Sequence, residues 1–456
     1  MPFCDIFRFH PNGILVNAPD GYRSIHGNKA NVKKGKFYDI FPKNKLSITS
    51  FNTSDPVIHS QKRRTLNFAF TDKTVCSAEK FIAAHIDRWV EILCDGKEDW
   101  SEEKDMVERS DELIFDIISD LLFGKSLDIK ERQGDNPFKD VPKSILSYMK
   151  LMYLIGQSPV LNVWLRLKPH GLDMLMKLIS PTGVKLLFDF IEDGIRHRKA
   201  TSNEKSQRKD MLHYLLQARD PDTGIPYHLD EIHAEVFVLM VAGSTTVSHV
   251  ISSVLFYITR DPRVYNKLIS EIRTTYKNRE EITDGPQLSS CIYLRSCVDE
   301  AIRMAPPVPS ELHREVLSPG IYIRNNFFPA GTRIGTSAWS LNHNQHFFRD
   351  PWIYRPERWI IGSGVTKDDV STALSAFQPF SIGKYNCPGR KLATMEILLA
   401  IGRTLHQLDV RLPSGKISGE ENKHSEREMR DMNLYHFRDV YVSQRTGPVV
   451  QFKRAG

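Results

Sequence analysis

The sequence predicts a mainly α protein, a helical body with a smaller β region and one long helix through its interior. Three observations carry this. Apolar residues recur at three- and four-residue spacings along most of the chain from Ser54 onward. One stretch, from Leu229 to the residues before Pro262, is apolar on nearly every face. Short alternating segments bounded by Gly, Pro and Asn cluster toward the two ends.

Taken in order, "FRFHPNGILVN" reads as two short strands around a Pro-Asn-Gly turn, and "PDGYRSIHG" as a helix opened by proline and closed by glycine. Three helical patterns follow between Ser54 and Gly124: "DPVIHSQKRRTLNFAF", "AEKFIAAHIDRWVEILC" and "ERSDELIFDIISDLLFG". Asp135 to His197 reads as helix with proline-containing connections. The stretch starting near Leu229 would be a rod on the order of 45 Å at 1.5 Å per residue, so it must cross the interior. "DPRVYNKLISEIRTTY" and "IYLRSCVDEAIRMA" are two more helices. Pro306 to Trp339 changes to short strands and turns, a proline-rich irregular stretch follows, and "VYVSQRTGPVVQFK" reads as a closing hairpin.

Hydrophobic residues at 41% and charged residues at 26% are ordinary globular values and exclude large-scale disorder. The net charge of +7 is mild and lies in short clusters such as Lys33, Lys34 and Lys36, or Lys62, Arg63 and Arg64. These read as solvated faces or as a docking surface for an acidic protein partner or anionic lipid head groups. No basic stripe interleaved with aromatics argues for nucleic acid. Six cysteines, at 4, 76, 94, 291, 297 and 387, have no zinc or CxxC spacing and read as reduced, mostly core thiols. No run of 18 apolar residues is present, and "VFVLMVAG" is too short to span a bilayer.

Four constellations carry chemistry. Cys387 sits between Gly383 and Gly389 just ahead of a run of helix formers, where unpaired N–H groups favour an anion. It is either a core thiol or a thiolate held for chemistry, with a depressed pKa expected in the second case. In "AGSTTV", Gly243 followed by Ser244, Thr245 and Thr246 is a poor helix middle, so a local bulge or groove is expected. Its hydroxyls either bond back to the preceding turn or line a cavity. Glu300 and Arg303 touch at helical spacing in an apolar context, and Arg358 of "PERW" could share the carboxylate. His59 and Arg63, four apart, are either part of an exposed basic helix or a two-pronged anion clamp.

In order, FxxGxxxCxG (Phe380, Gly383, Cys387, Gly389), AGxxT (Ala242, Gly243, Thr246), ExxR (Glu300, Arg303), PERW (Arg358) and HxxxR (His59, Arg63) form a set that resembles the cytochrome P-450 haem-thiolate monooxygenases, in particular fungal microsomal-type members. The resemblance covers nearly the whole chain. It implies the cytochrome P-450 fold, with the long helix over haem, and one catalytic domain over residues 1–456. Cys387 is then similar to the thiolate ligand of the iron in haem b, which in this family pushes electron density to favour O–O cleavage. Phe380 would pack beside the sulfur, and Gly383 and Gly389 would leave room for the porphyrin. Thr246 resembles the threonine that hydrogen-bonds dioxygen and relays protons. Glu300, Arg303 and Arg358 would form a buried structural knot. His59, Arg63 and Arg314 would hold the propionates, and substrate would lie against Val241, Ala242, Thr246 and the loop Pro307, Val308, Pro309 and Ser310.

Three departures qualify the likeness. Thr245 stands where the family carries an acid, leaving proton delivery to water and hydroxyls. Tyr385 stands where it carries an arginine, so a phenol hydrogen bond would replace one ion pair to a propionate. The membrane anchor of microsomal members has no counterpart, so the reading expects a truncated chain or one that meets the membrane through its surface. It would be cytoplasmic or peripheral as given, and on the endoplasmic reticulum by resemblance. The implied activity is insertion of one oxygen atom from O2 into a small lipophilic substrate, with electrons from NADPH through a cytochrome P-450 reductase, in fungal secondary metabolism. The alternative is a haem-thiolate isomerase, dehydratase or peroxide-dependent enzyme that does not activate O2.

Overall fold

The Pro11-Asn12 turn folds strand Ile6–His10 back on Gly13–Val16, antiparallel, with Phe7 opposite Leu15 and Arg8 opposite Ile14. Gly13–Val16 then pairs in parallel with Arg333–Gly335, and the sheet continues through Arg314–Val316 to Val32–Lys34. Strands from both halves of the chain thus build one five-stranded sheet. Ile14, Val16, Ile25, Val32, Val316 and Ile334 form its own small core. The computed structural model describes residues 5–41, 46–132, 134–168, 174, 178–200, 210–220, 222–362, 364–413 and 433–456. Cys4 and parts of the 135–197 region lie outside the described residues.

The three predicted helices before Gly124 are Pro56–Ala69, Asp72–Leu93 and Met106–Phe123. Each begins where a side-chain oxygen, of Asp55, Thr71 or Asp105, accepts a first-turn N–H. Gly124 ends the third in a left-handed conformation that glycine adopts without strain.

The long helix is Leu229–Ile258, 30 residues opened by a capping box between His228 and Glu231. It lies along Met106–Phe123 and also touches Ile292–Met304 and Arg390–Gln407. Burying Val250, Ile251, Val254, Leu255 and Ile258 completely or nearly so contributes about 1.5–3 kcal/mol per side chain. By length and composition this helix is apolar enough to cross a membrane, contrary to the sequence expectation, but it is enclosed in the protein core.

The expected bulge at "AGSTTV" does not form. Ser244, Thr245 and Thr246 bond back to the carbonyls of Met240, Val241 and Ala242 at 2.6, 2.8 and 2.8 Å, so the hydroxyls share the helix's acceptors without breaking its ladder. Gly243 is where Ile118 packs: a Cβ there would meet its Cδ1 at 3.2 Å.

The closing hairpin also differs. Val442–Arg445 pairs with Phe437–Val440 through a tip at Tyr441, whose φ of 78° is left-handed. Val449–Arg454 pairs instead with Leu408–Arg411 and Lys104–Asp105. The Thr446-Gly447-Pro448 turn chemistry therefore separates two sheets. "TSAWS" ends not as strand but as the start of a short helix, Ala338–Asn342, capped by Ser337.

The Lys34 and Lys62 side chains leave their expected solvated clusters. Lys34 alternates onto the same buried face as Val32, and Lys62 is buried on Glu231 at 3.2 Å. Cys94, Cys291 and Cys297 are buried thiols, as expected; Cys76 is exposed.

Candidate active site

Helix Arg390–Gln407 starts three residues after Cys387, and the backbone before it doubles back so that Cys387 N–H donates to Phe380 O at 2.8 Å. That turn leaves the Cys387 side chain at the wall of a cavity of about 960 Å³. Among the described residues Cys387 is the one cysteine lining it. Phe380, Tyr385, Gly389, His59 and Arg63 line the same cavity, as do Val241, Ala242, Thr245 and Thr246 of the long helix.

The Cys387 side chain is exposed to the cavity, yet the protein packed around it pushes the thiol above its ordinary value, against the Gly389 N–H and Arg63, which pull it down. The expected depression is thus absent in the chain by itself. One N–H and one guanidinium do not outweigh enclosure, and a bound metal ion is what makes such a thiol an anion.

The two glycines divide. A Cβ on Gly389 would stand at ordinary contact, 3.7 Å from Phe70 and 3.9 Å from Cys387 Sγ. Gly383 does not line the cavity. Its φ is 71°, and a Cβ would lie 2.2 Å from His26 O, so it serves the close approach of the ligand loop to the 26–28 backbone rather than room for a porphyrin.

His59 and Arg63 both line the cavity, with different protein partners. Arg63 donates through Nη2 to Asn386 Oδ1 at 2.6 Å and through Nη1 to Asn386 O, tying helix Pro56–Ala69 to the ligand loop. His59 meets the Tyr385 ring edge-on at 4.5 Å. Burial first, then the charges of Lys34, Arg63, Arg314 and Lys384, hold its imidazole down to about 3, so it is neutral at neutral pH. Arg314 is buried, stacks 4.8 Å from the Tyr385 ring centroid, and has no partner for Nε. The Tyr385 hydroxyl lies by the Lys34 backbone N–H, so what the residue offers here is a ring platform for cations.

The Glu300 knot is complete. The carboxylate accepts Arg303 Nε and Nη2 at 2.9 Å each, Arg358 Nε at 2.9 and 3.1 Å, Trp359 Nε1 at 3.1 Å and Arg355 N at 3.0 Å. Burial alone would raise this carboxyl, but Arg303 and Arg358 overcome it and hold it below its ordinary value. In the loop after Ile292–Met304, Pro307, Val308 and Ser310 line the cavity. Pro309 turns away, its carbonyl accepting Trp339 N and Ser337 Oγ.

A cysteine sulfur facing a large cavity, a patch of cations at one side and a hydroxyl-bearing helix along another wall are the features of the haem-thiolate class. Arg63 and Lys34, which line the cavity on the Cys387 side, fit an anionic group bound there, whereas Arg314 is buried beside the Tyr385 ring and does not line the cavity. The chain belongs to the cytochrome P-450 family: the Cytochrome P-450 family model matches residues 2–428. It is 30% identical, over 98% of its length and 84% of the relative's, to the cytochrome P-450 monooxygenase fscF of Fusarium equiseti. It is 28% identical, over 99% and 86%, to AKT7 of Alternaria alternata, another cytochrome P-450 monooxygenase. A crystal structure of a cytochrome P-450 superposes on it with a TM-score of 0.73 at 18% identity, covering 97% of this chain and 89% of the other. The protein is a monooxygenase whose cofactor is haem with a cysteine thiolate axial to iron.

Sequence reasoning missed several residues here. Glu396, buried in helix Arg390–Gln407 and lining the cavity, is pushed up to about 8 by burial and is protonated at neutral pH. Behind the long helix, Ser248 Oγ donates to Asp111 Oδ1 at 2.6 Å and Arg445 pairs with the same carboxylate. Tyr441 enters the cavity from its hairpin tip and bonds the Tyr38 hydroxyl at 3.2 Å. Only the strand alternation Val32-Lys33-Lys34 carried a local signal, for Lys34.

Proposed function

We propose that Cys387 is the axial thiolate of a haem b monooxygenase that inserts one oxygen atom from O2 into a small lipophilic substrate in fungal secondary metabolism. The observation that carries the reading is Cys387 at the cavity wall with Thr246 and Ala242 lining the same cavity. When bound, the haem supplies activation of dioxygen and insertion of one of its atoms. The protein's own residues bind, orient and move protons. Val241, Ala242, Val308, Met149 and Phe51 give the cavity an apolar lining suited to a lipophilic substrate. Thr246, whose hydroxyl is anchored on Ala242 O at 2.8 Å, can exchange that bond for one to a ligand or water. His59, Arg63 and Arg314 lie at the propionate edge, and Glu300, Arg303 and Arg358 keep the fold beneath it. Residues 1–456 act as one catalytic domain.

Electrons come from NADPH through a flavoprotein reductase docking on the Cys387 side. Exposed Leu154, Val160, Val163, Leu167, Leu178 and Ile179 support peripheral contact with a membrane, which would be that of the endoplasmic reticulum. A reduced-CO difference spectrum with a Cys387→Ser control tests the ligand: a thiolate-type Soret band is expected in the parent and not in the variant, and its absence from both defeats the reading. Thr245 in place of an acid favours a second reading, a haem-thiolate enzyme that never uses O2. Turnover that persists without O2 and NADPH would select it.

A further inference from the structure

The cation patch holds one more buried charge than the motifs account for. Lys34 ends the strand Val32–Lys34 with 6% exposure and lines the cavity. Its Nζ donates to Ser50 O at 2.7 Å and Phe51 O at 2.8 Å, which uses two of its three protons. Among the described residues no carboxylate lies within ion-pair distance of it; Glu235 acts on it through space while accepting the Ser50 N–H at 2.6 Å. Burial, then Arg314, push this ammonium well below its ordinary value. Such a charge is costly unless an anion joins it.

The neighbouring groups say where that anion sits. The Tyr385 ring has Arg314 at 4.8 Å, Lys384 at 5.2 Å and Lys34 at 5.4 Å from its centroid, with His59 at its edge. Tyr385 lies two residues before Cys387, where the resemblance places an arginine. The charge missing from that position is thus present beside it, on a residue from another part of the chain.

We propose that Lys34 binds a haem propionate in place of the cation that Tyr385 lacks, with the Tyr385 ring as the platform that holds Lys34 and Arg314 together at the cavity edge. This rests on the haem reading above. A propionate oxygen would take the third Lys34 proton, while Arg314, buried against the Tyr385 ring, adds positive charge nearby. A purely structural Lys34, tying down Ser50 and Phe51, would serve any cofactor equally.

The test separates the two by removing the propionate charge. Holoenzyme is reconstituted with haem or with haem dimethyl ester, in parent and Lys34→Met chains, and release to excess apomyoglobin is timed. Loss of a charge-assisted hydrogen bond should speed haem release about ten-fold or more in the variant. With the ester, parent and variant should agree within about two-fold. Equal acceleration of both cofactors, or of neither, overturns the assignment. If Lys34→Met does not accumulate as folded chain, Lys34→Gln, which keeps an N–H donor toward Ser50 and Phe51, carries the same comparison. Failure of the parent chain to retain haem at all would instead refute the haem reading.

Discussion

Arg358→Met is the sharpest perturbation of the scaffold beneath the site. It removes two contacts to a Glu300 carboxylate of zero exposure and the donor that the Arg349 carbonyl takes at 2.7 Å, while the Asp350 and Ile353 carbonyls, at 3.2 Å each, keep Ile353 N and Arg303 Nη2. Breaking a buried pair from one side costs about 3–5 kcal/mol, because the remaining charge stays desolvated. At a guanidinium slope of about 5 kcal/mol/M, the unfolding midpoint should fall by roughly 0.6–1 M. The pH dependence follows from the sign of the shift. In the parent, Glu300 lies below its ordinary 4.5, so its stabilising share is present above pH 4.5 and is lost as pH falls through the folded value. In the variant the carboxylate keeps Arg303, the Arg355 N–H and Trp359 but loses Arg358, so its charged form is held less well and the penalty grows as pH climbs past 4.5. Guanidinium unfolding followed by far-UV circular dichroism should therefore give a larger deficit at pH 8 than at pH 5. A deficit under about 1 kcal/mol, the scale of a surface pair, or one larger at pH 5, refutes the argument.

Gly383→Ala should destabilise severely and prevent cofactor retention, since its Cβ would stand 2.2 Å from His26 O at a φ of 71°, whereas Gly389→Ala should fold normally. Soret absorbance and unfolding midpoints of the two variants check this, and comparable behaviour would contradict it. His59, His249 and His343 are each held down to about 3 against an ordinary 6.5, by burial first. The unfolded chain therefore binds protons that the folded chain refuses, and stability should be full above pH 6.5 and fall as pH is lowered toward 3. His249→Phe should flatten the midpoint-versus-pH curve, and an unchanged slope counts against the assignment. Thr246→Val should leave stability within about 1 kcal/mol while raising NADPH consumed per product. Thr245→Val, whose hydroxyl is buried on Val241 O, should change coupling less; equal effects would remove Thr246 from its relay role.

What could be read from the sequence was local. Helices with capping oxygens, such as Asp55 before Pro56–Ala69 and Asp105 before Met106–Phe123, announce themselves through a period and a stop, and the all-apolar Leu229–Ile258 announces its burial. Pairing between distant strands carries no such signature. Val449–Arg454 alternates equally well whether it closes on Val442–Arg445 or, as it does, on Leu408–Arg411, and only the surrounding helices decide. The same limit governs the site. Glu300 and Arg303 are legible because they share a helix turn in an apolar stretch, and Arg358 through the PERW motif. Gly383 was visible as a glycine but not for its reason, since the obstructing atoms belong to His26–Asn28 at the other end of the chain.

The neighbours of Lys34, Lys33 and Lys36, made it look like one charge in a solvated cluster, yet a strand places alternate residues on opposite faces, and Val32 had already fixed which face was inward. A lysine on the inward face of a strand needs an acceptor set. Here protein carbonyls supply only part of it, and the remaining demand points at the cavity. Tyr385 was read as a lost charge because the ligand loop was considered by itself. With Lys34, Arg314 and Lys384 around its ring, the substitution is a relocation: the positive charge comes from the β sheet, and the aromatic ring holds it in register with the loop that carries Cys387.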